Sequence, residues 1–283
     1  MKAFAAYIKG WRISVKHWKM WGLLYVFNIL FALLLTFPVF QFLNSKFSNT
    51  LALDKISQQF DFTVLNDILN EYGDIVGILS NQSLLSSILF LVLSIFLVGG
   101  ILNVFRHREI PFRFAGFWVG CSKFFWRIFG LTILFLIIQG IIAALFFVIF
   151  NGLTAGGLDR FDSEAAIYNR AILVFPFYSF FAMLFWMIQD YSKVVMVQED
   201  LSLFRSVIRG IKFVFRHFFS TFPLYFLNLL TFAILLCGYW QIPTGNAIGA
   251  AFLIGQLFLV LRIGTKLLNL GSATVLYEEA TAV

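Results

Sequence analysis

Residues 199–219 read EDLSLFRSVIRGIKFVFRHFF, and this stretch decides what kind of fold the chain adopts. As a helix of about 3.6 residues per turn, it gathers apolar side chains on one side: Phe204, Val207, Ile208, Ile211, Phe215 and Phe218. Basic side chains fall on the other side: Arg205, Arg209, Lys212 and Arg216. This pattern is typical of a helix lying in the headgroup plane of an anionic membrane. A surface helix of a soluble protein is the alternative, but the long apolar run that follows favours the interfacial helix.

The same pattern occurs at the N-terminus, where residues 4–30 align without a gap on residues 204–230. The identical pairs include polar and small residues: Phe4/Phe204, Ile8/Ile208, Gly10/Gly210, His17/His217, Leu24/Leu224, Tyr25/Tyr225, Asn28/Asn228 and Leu30/Leu230. The basic residues Lys9, Arg12 and Lys16 align with Arg209, Lys212 and Arg216. We therefore predict an internal repeat of an interfacial helix leading into a membrane span. Residues 112–131 match this pattern in kind and predict a third copy.

Composition predicts a polytopic helical membrane protein. Hydrophobic residues make up 60% of the 283 and charged residues 12%, whereas a soluble domain carries about 25% charged residues. The apolar residues form long runs, which exclude the alternating strands of a transmembrane barrel. Six runs have the length of a membrane span: 22–42, 83–105, 128–150, 171–189, 221–240 and 245–268.

The predicted fold is therefore all-α, with six transmembrane helices and three interfacial amphipathic helices in an internal repeat. The chain forms one membrane domain, 1–283, with repeat units of approximately 1–105, 106–190 and 191–268. A polar segment at 44–82 connects the first two spans. All but four of the 21 lysines and arginines fall on the side opposite to this segment. By the positive-inside rule, that richer side is cytoplasmic, both termini lie there, and segment 44–82 is extracytoplasmic.

The basic residues of the two aligned helices are the candidate binding site for anionic lipid headgroups: Lys9, Arg12, Lys16, Arg205, Arg209, Lys212 and Arg216. Membrane lipids rather than nucleic acid are the expected partner, because the aromatic residues lie mainly inside the apolar runs and not among the basic ones. Four amides within the predicted spans are candidates for lining a polar cavity: Asn28, Gln139, Asn228 and Gln256. Hydrogen bonding between packed helices is the alternative role for such amides.

No catalytic, cofactor or metal site is predicted. His17 and His217 lack the further ligands at short spacing that a metal site needs, so a hydrogen bond to a headgroup or helix end is favoured. Asp67, Glu71 and Asp74 follow helical spacing, which favours a solvated helix face over a calcium loop. We find no phosphate-binding loop, nucleophile elbow or Ser/His/Asp set, and expect the protein not to be an enzyme.

A family resemblance is carried by short motifs in the last third of the chain: residues 190–193 (DYSK), 197–200 (VQED), 205–217 and 276–279 (LYEE). These motifs resemble segments of uncharacterised six-span bacterial inner-membrane proteins, which are loosely similar to the membrane domain of glycerophosphodiester phosphodiesterase fusions. The hydrolase domain of those fusions has no counterpart here. The resemblance thus implies a six-span layout in a bacterial inner membrane and implies no catalysis.

Two functional hypotheses follow. The first is a non-enzymatic scaffold or accessory subunit that holds anionic lipids on a cytoplasmic basic belt and associates with other membrane protein subunits. The second is a transporter or flippase-like permease for a lipid or another amphiphile, with the four amides lining its path.

Overall fold

The computed structural model of the protein describes residues 2–47, 66, 70, 73–152, 164–242 and 248–282. Most of segment 44–82 lies outside these residues. This part includes Asp67 and Glu71, so two of the three acidic residues predicted to share a solvated helix face lie outside the described residues. The part of the connector 151–170 that precedes Glu164 lies largely outside them as well.

The described part of the chain forms eight helices. They are α1 (Lys2–Lys16), α2 (Trp18–Phe47), α3 (Gly73–Arg106), α4 (Phe114–Gly152), α5 (Glu164–Glu199), α6 (Leu203–Arg216), α7 (Phe218–Gln241) and α8 (Ile248–Thr281). All except α1 and α6 are long and apolar enough to cross a membrane. The prediction of an all-α, multi-pass membrane protein with six spans is therefore confirmed.

The three predicted interfacial segments differ in local structure. Short helices α1 and α6 end just before His17 and His217, and α2 and α7 begin just after them. Both breaks contain the same bond, because the amides of Met20 and Ser220 donate to the carbonyls of His17 and His217 at 2.8 Å. The third segment shows no such break, since α4 runs continuously from Phe114 to Gly152. At about 1.5 Å per residue it is about 58 Å long, roughly twice the hydrocarbon thickness of a bilayer.

Two helices continue well beyond the predicted ends of their spans. The fourth span was predicted to end at 189 and the sixth at 268, but α5 extends to Glu199 and α8 to Thr281. The extensions contain the charged residues Asp190, Lys193, Glu199, Glu278 and Glu279, and charged residues usually lie at a protein's surface. Instead, the extensions are among the most buried parts of the described chain, with Val194–Val197 fully buried and Tyr277 at 4% exposure.

The chain divides into two compact units. The first comprises Met1–Lys16, Ile95–Thr231 and Lys266–Val283, and the second comprises His17–Ser94 and Phe232–Thr265. Fully buried apolar residues of the first unit come from α1, α3, α4, α5, α6 and α8, and include Ala6, Ile101, Phe117, Phe124, Ile128, Val194, Met196, Val214, Leu267 and Leu268. In the second unit, the Tyr25 hydroxyl donates to Gln256 at 2.8 Å and the Trp21 ring packs directly on Gly264.

Glycines allow α1 and α6 to pack closely on the extensions of α8 and α5 in the first unit. A Cβ added at Gly10 would lie 2.6 Å from the Ser272 Cα and backbone nitrogen. A Cβ added at Gly210 would first meet the Ser192 hydroxyl and would lie 3.0 Å from the Ser192 Cα. Such approaches are possible only where a helix presents a residue without a side chain.

The turn between α5 and α6 is held by an ion cluster on Asp200. This residue has a φ of 54°, in the left-handed region that Asp and Asn tolerate better than most residues. Its carboxylate accepts hydrogen bonds from Lys123 at 2.5 Å and Arg127 at 2.7 Å, both from α4. These bonds and charges hold the pKa of Asp200 below its ordinary value of 3.8.

We expect the variant Asp200→Asn to be slightly less stable than the wild type at pH 7, by less than about 1 kcal/mol, because the cluster is partly exposed. A carboxyl whose pKa is lowered on folding stabilises the protein above its unfolded pKa, and this contribution disappears as the pH falls through the folded value. The difference in thermal stability between the two proteins should therefore shrink below about pH 4. A difference that stays constant from pH 7 to pH 3 would contradict this role of the charge.

Candidate functional site

Helix α6 presents three strips of side chains, where the sequence predicted two. The apolar strip is exposed, with Phe204 at 72%, Ile208 at 68% and Phe215 at 58%. The basic strip is exposed beside it. A third strip, Ser206, Gly210, Phe213 and Val214, is buried, and Gly210 of this strip packs on Ser192 of α5. Two small residues and two larger apolar ones thus attach the helix to the protein, while the apolar and basic strips remain exposed.

Helix α1 has the same arrangement. Its exposed apolar residues are Phe4, Ile8, Trp11 and Val15, and its buried residues are Ala6, Gly10 and Ser14. An exposed apolar strip beside a basic strip is what an interfacial helix requires. The interfacial placement of α1 and α6 stays a prediction.

The basic strip of α6 contributes to a cavity of about 690 Å³ in the first unit. Its walls come from α1, the end of α5, α6 with the following His217, and the end of α8: Lys2, Glu199, Arg209, Lys212, Phe213, Arg216, His217, Tyr277, Ala280 and Thr281. This volume lies in the range of about 300–1,000 Å³ that small-molecule sites occupy. The residues that are far apart in sequence meet here because α1 and α6 pack on the extended ends of α8 and α5.

The cavity is strongly electropositive. Among the described residues, four cationic side chains line it, together with one carboxylate, that of Glu199. That carboxylate is already engaged, since it pairs with Arg209 and accepts a hydrogen bond from the Tyr277 hydroxyl. Partial burial, with the nearby charges of Arg216 and Lys2, lowers the pKa of His217 below its ordinary value of 6.5. His217 therefore adds a neutral imidazole at neutral pH.

The structure separates the seven predicted headgroup residues into groups. Arg209, Lys212 and Arg216 line the cavity, whereas Arg205 and Arg12 are exposed and do not line it. The other two bind within the protein. Lys9 forms an ion pair with Glu279 at 2.5 Å, and Lys16 donates to the Arg108 carbonyl at 3.0 Å. Three of the seven residues therefore line the cavity and four do not, and the binding of lipid headgroups by the seven stays a prediction.

None of the four predicted cavity-lining amides lines this cavity, and each has its own hydrogen bond. Asn28 donates to Leu24 of its own helix at 2.7 Å, and Gln256 accepts from Tyr25. In the first unit, Gln139 accepts from the Trp186 indole at 2.9 Å. These bonds match the alternative role, hydrogen bonding within and between helices.

The fourth amide, Asn228, belongs to a polar network that joins α5, α7 and α8. Its side-chain nitrogen donates to the Asn269 carbonyl oxygen at 3.2 Å and to the Ser272 hydroxyl at 3.0 Å. Asn269 in turn donates to Asp190 at 3.0 Å, and Lys193 pairs with the other oxygen of Asp190 at 3.0 Å. Asp190 and Lys193 are only 18% and 14% exposed, so this ion pair is largely withdrawn from water.

Sequence reasoning missed Lys2, Glu199 and Tyr277 as members of the cavity. The sequence does contain two acidic pairs, Glu199–Asp200 and Glu278–Glu279, on the side predicted to be rich in basic residues. These pairs could have indicated that the ends of α5 and α8 bind basic residues of the protein. Each of these acids forms an ion pair with a basic residue in the structure, with Arg209 or Lys9 for example. Within the described residues, no group of three or more His, Cys, Asp or Glu side chains is placed to hold a metal ion.

Comparison with family models, with curated proteins and with solved structures finds no match for this chain. The assignment of function therefore depends on the geometry and charge of the cavity.

Proposed function

We propose that this protein is a non-enzymatic integral membrane protein that binds anionic lipid headgroups through the basic cavity, as a scaffold or accessory subunit of a membrane protein complex in a bacterial inner membrane. The single observation that carries the proposal is the convergence of Lys2, Arg209, Lys212 and Arg216 on one cavity. Lipid phosphate is the anion that a membrane supplies in abundance, and basic pockets beside membrane helices bind such headgroups.

We further infer that the chain contains an internal repeat, and that the repeat builds this site. Two equivalent contacts support it. Gly10 packs on Ser272 while Lys9 pairs with Glu279, and Gly210 packs on Ser192 while Arg209 pairs with Glu199. The aligned glycines and basic residues thus make the same kind of contact with two different partner helices.

A matched pair of triple variants tests lipid binding. The cavity triple, Lys2→Gln with Lys212→Gln and Arg216→Gln, removes three charges from the cavity. The control triple, Arg12→Gln with Lys19→Gln and Arg205→Gln, removes three exposed charges elsewhere. Each basic residue near an anionic surface contributes about 1 kcal/mol, so the loss of three such residues should weaken the binding of phosphatidylglycerol about 100-fold. Native mass spectrometry of the protein in a neutral detergent, titrated with this lipid, measures the change.

The control triple should retain most of the affinity. If both triples lose affinity equally, binding depends on overall charge and not on the cavity, and the proposal fails. The permease hypothesis has no comparable observation in its favour, because its four amides bond to separate partners. A second protein retained at fixed stoichiometry in the same spectra would support the subunit role, and a chain that is always recovered alone would contradict it.

A further inference from the structure

We propose that the ligand of the basic cavity is a phosphate group with two negative charges, a phosphomonoester or a diphosphate, in preference to a singly charged phosphodiester. This inference rests on the function proposed above and makes it more specific by naming the class of headgroup. It follows from the balance of charge in the cavity, from the donors that remain available there and from the apolar surface beside it.

The balance of charge favours a dianion. Among the residues that the structure describes, Glu199 gives the lining its only carboxylate, and this carboxylate is paired with Arg209. In the part of the chain that the structure describes, no carboxylate pairs with Lys2, Lys212 or Arg216. A phosphodiester would leave two of these three cations uncompensated at close range. A phosphomonoester carries about −1.5 to −2 near neutral pH, so it neutralises most of the excess charge.

The available donors also suit a terminal phosphate. Arginine presents planar N–H groups that match phosphate oxygens two at a time, and lysine supplies a mobile point charge. The Tyr277 hydroxyl is already committed to Glu199, so Lys2, Lys212, Arg216 and the imidazole of His217 are the groups left to contact a ligand. A terminal phosphate offers three oxygens to these groups, whereas a diester offers two. The ammonium of a zwitterionic headgroup would be repelled by the same cations.

The surface beside the cavity points to a ligand with a hydrocarbon chain. The apolar strip and the basic strip lie side by side on α6. The apolar strip is exposed at Phe204, Ile208 and Phe215. A headgroup in the cavity would therefore have an apolar surface next to it for its chain. The shared chemistry is the phosphate dianion, which a membrane lipid or a soluble phosphorylated compound can supply.

The experiment compares headgroups that differ in charge. The full chain in a neutral detergent, at about 0.15 M salt and neutral pH, is titrated with dihexanoyl phosphatidic acid and with dihexanoyl phosphatidylglycerol. Binding is followed by isothermal titration calorimetry. Two soluble probes, glycerol 3-phosphate and inorganic pyrophosphate, are titrated in parallel. One additional negative charge should tighten binding about fivefold or more, and the preference should disappear in the cavity triple but persist in the control triple.

Each outcome decides a different point. A preference for phosphatidic acid that depends on the cavity supports the inference. Equal affinity for both lipids, lost in the cavity triple, overturns the preference for a dianion but leaves the proposed function standing. Affinities that the cavity triple does not change overturn both. If the soluble probes bind as tightly as phosphatidic acid, the dianion stands and its source is a soluble compound. Melting temperatures of the two triples are compared first, so that a folding defect is not taken for lost binding.

Discussion

The variant Gly10→Ala should lower the free energy of unfolding by about 1–3 kcal/mol, the usual cost of forcing an extra carbon into a packed interface. The added methyl group would lie 2.6 Å from the Ser272 backbone, in the extension of α8. Backbone atoms cannot rotate away as a side chain can. Either α1 separates from α8 or both helices shift, and the ion pair between Lys9 and Glu279 weakens with them. Thermal unfolding in detergent, followed by intrinsic tryptophan fluorescence, measures the loss.

Two other glycines provide matched comparisons for this prediction. Gly140 in α4 has no atom within 4 Å of an added Cβ. Gly140→Ala should therefore be neutral or slightly stabilising, because alanine costs less conformational entropy in a helix. At Gly210 the first contact is the Ser192 hydroxyl, so Gly210→Ala should cost less than Gly10→Ala and should be partly rescued by Ser192→Gly. If Gly10→Ala and Gly140→Ala have the same stability, the close packing of α1 on α8 is not present in solution.

The six spans could be predicted from sequence because a bilayer imposes a length and a polarity on each of them. Long apolar runs identify the spans without knowledge of their neighbours. The extensions 190–199 and 269–281 could not be predicted in the same way. Their charged residues resemble a solvated connector until their partners are known, and the partners of Glu278 and Glu279 lie far along the chain. Arg108, for example, pairs with Glu278 at 2.8 Å.

The candidate site was predicted only in part for a related reason. Helical periodicity correctly placed Arg209, Lys212 and Arg216 on one strip of α6. Periodicity carries no information about which strip packs on the protein, and two of the four residues of the buried strip, Ser206 and Gly210, have no apolar side chain to mark it. It also cannot separate Arg216, which lines the cavity, from Arg205, which does not. Arg216 lines the cavity because α6 packs on α5 and because Lys2, which is distant in sequence, lies in the same cavity.

The variant Asp190→Ala should be the most destabilising single change in the polar network, with a cost of about 3 kcal/mol. Removal of one partner of a buried ion pair leaves an uncompensated charge, which costs about 3–5 kcal/mol. The lower end applies because Asp190 and Lys193 retain some exposure. The change also removes the acceptor of the Asn269 amide, and Asn269 links α8 to Asn228 of α7. The loss should appear as a lower melting temperature in detergent and as faster hydrogen exchange at the ends of α5 and α8.

The cause of that loss can be separated from a simple loss of packing. In the double variant Asp190→Ala with Lys193→Ala no unpaired charge remains, so the double variant should be more stable than Asp190→Ala alone, although the second substitution removes further contacts. Asp200→Asn is the matched comparison at the same end of α5. Its ion cluster is more exposed, so its loss should cost less than about 1 kcal/mol. If removal of Lys193 fails to recover stability in the Asp190→Ala background, the unpaired charge of Lys193 is not the cause of the loss, and the loss comes from the missing hydrogen bond between Asn269 and Asp190 and from packing.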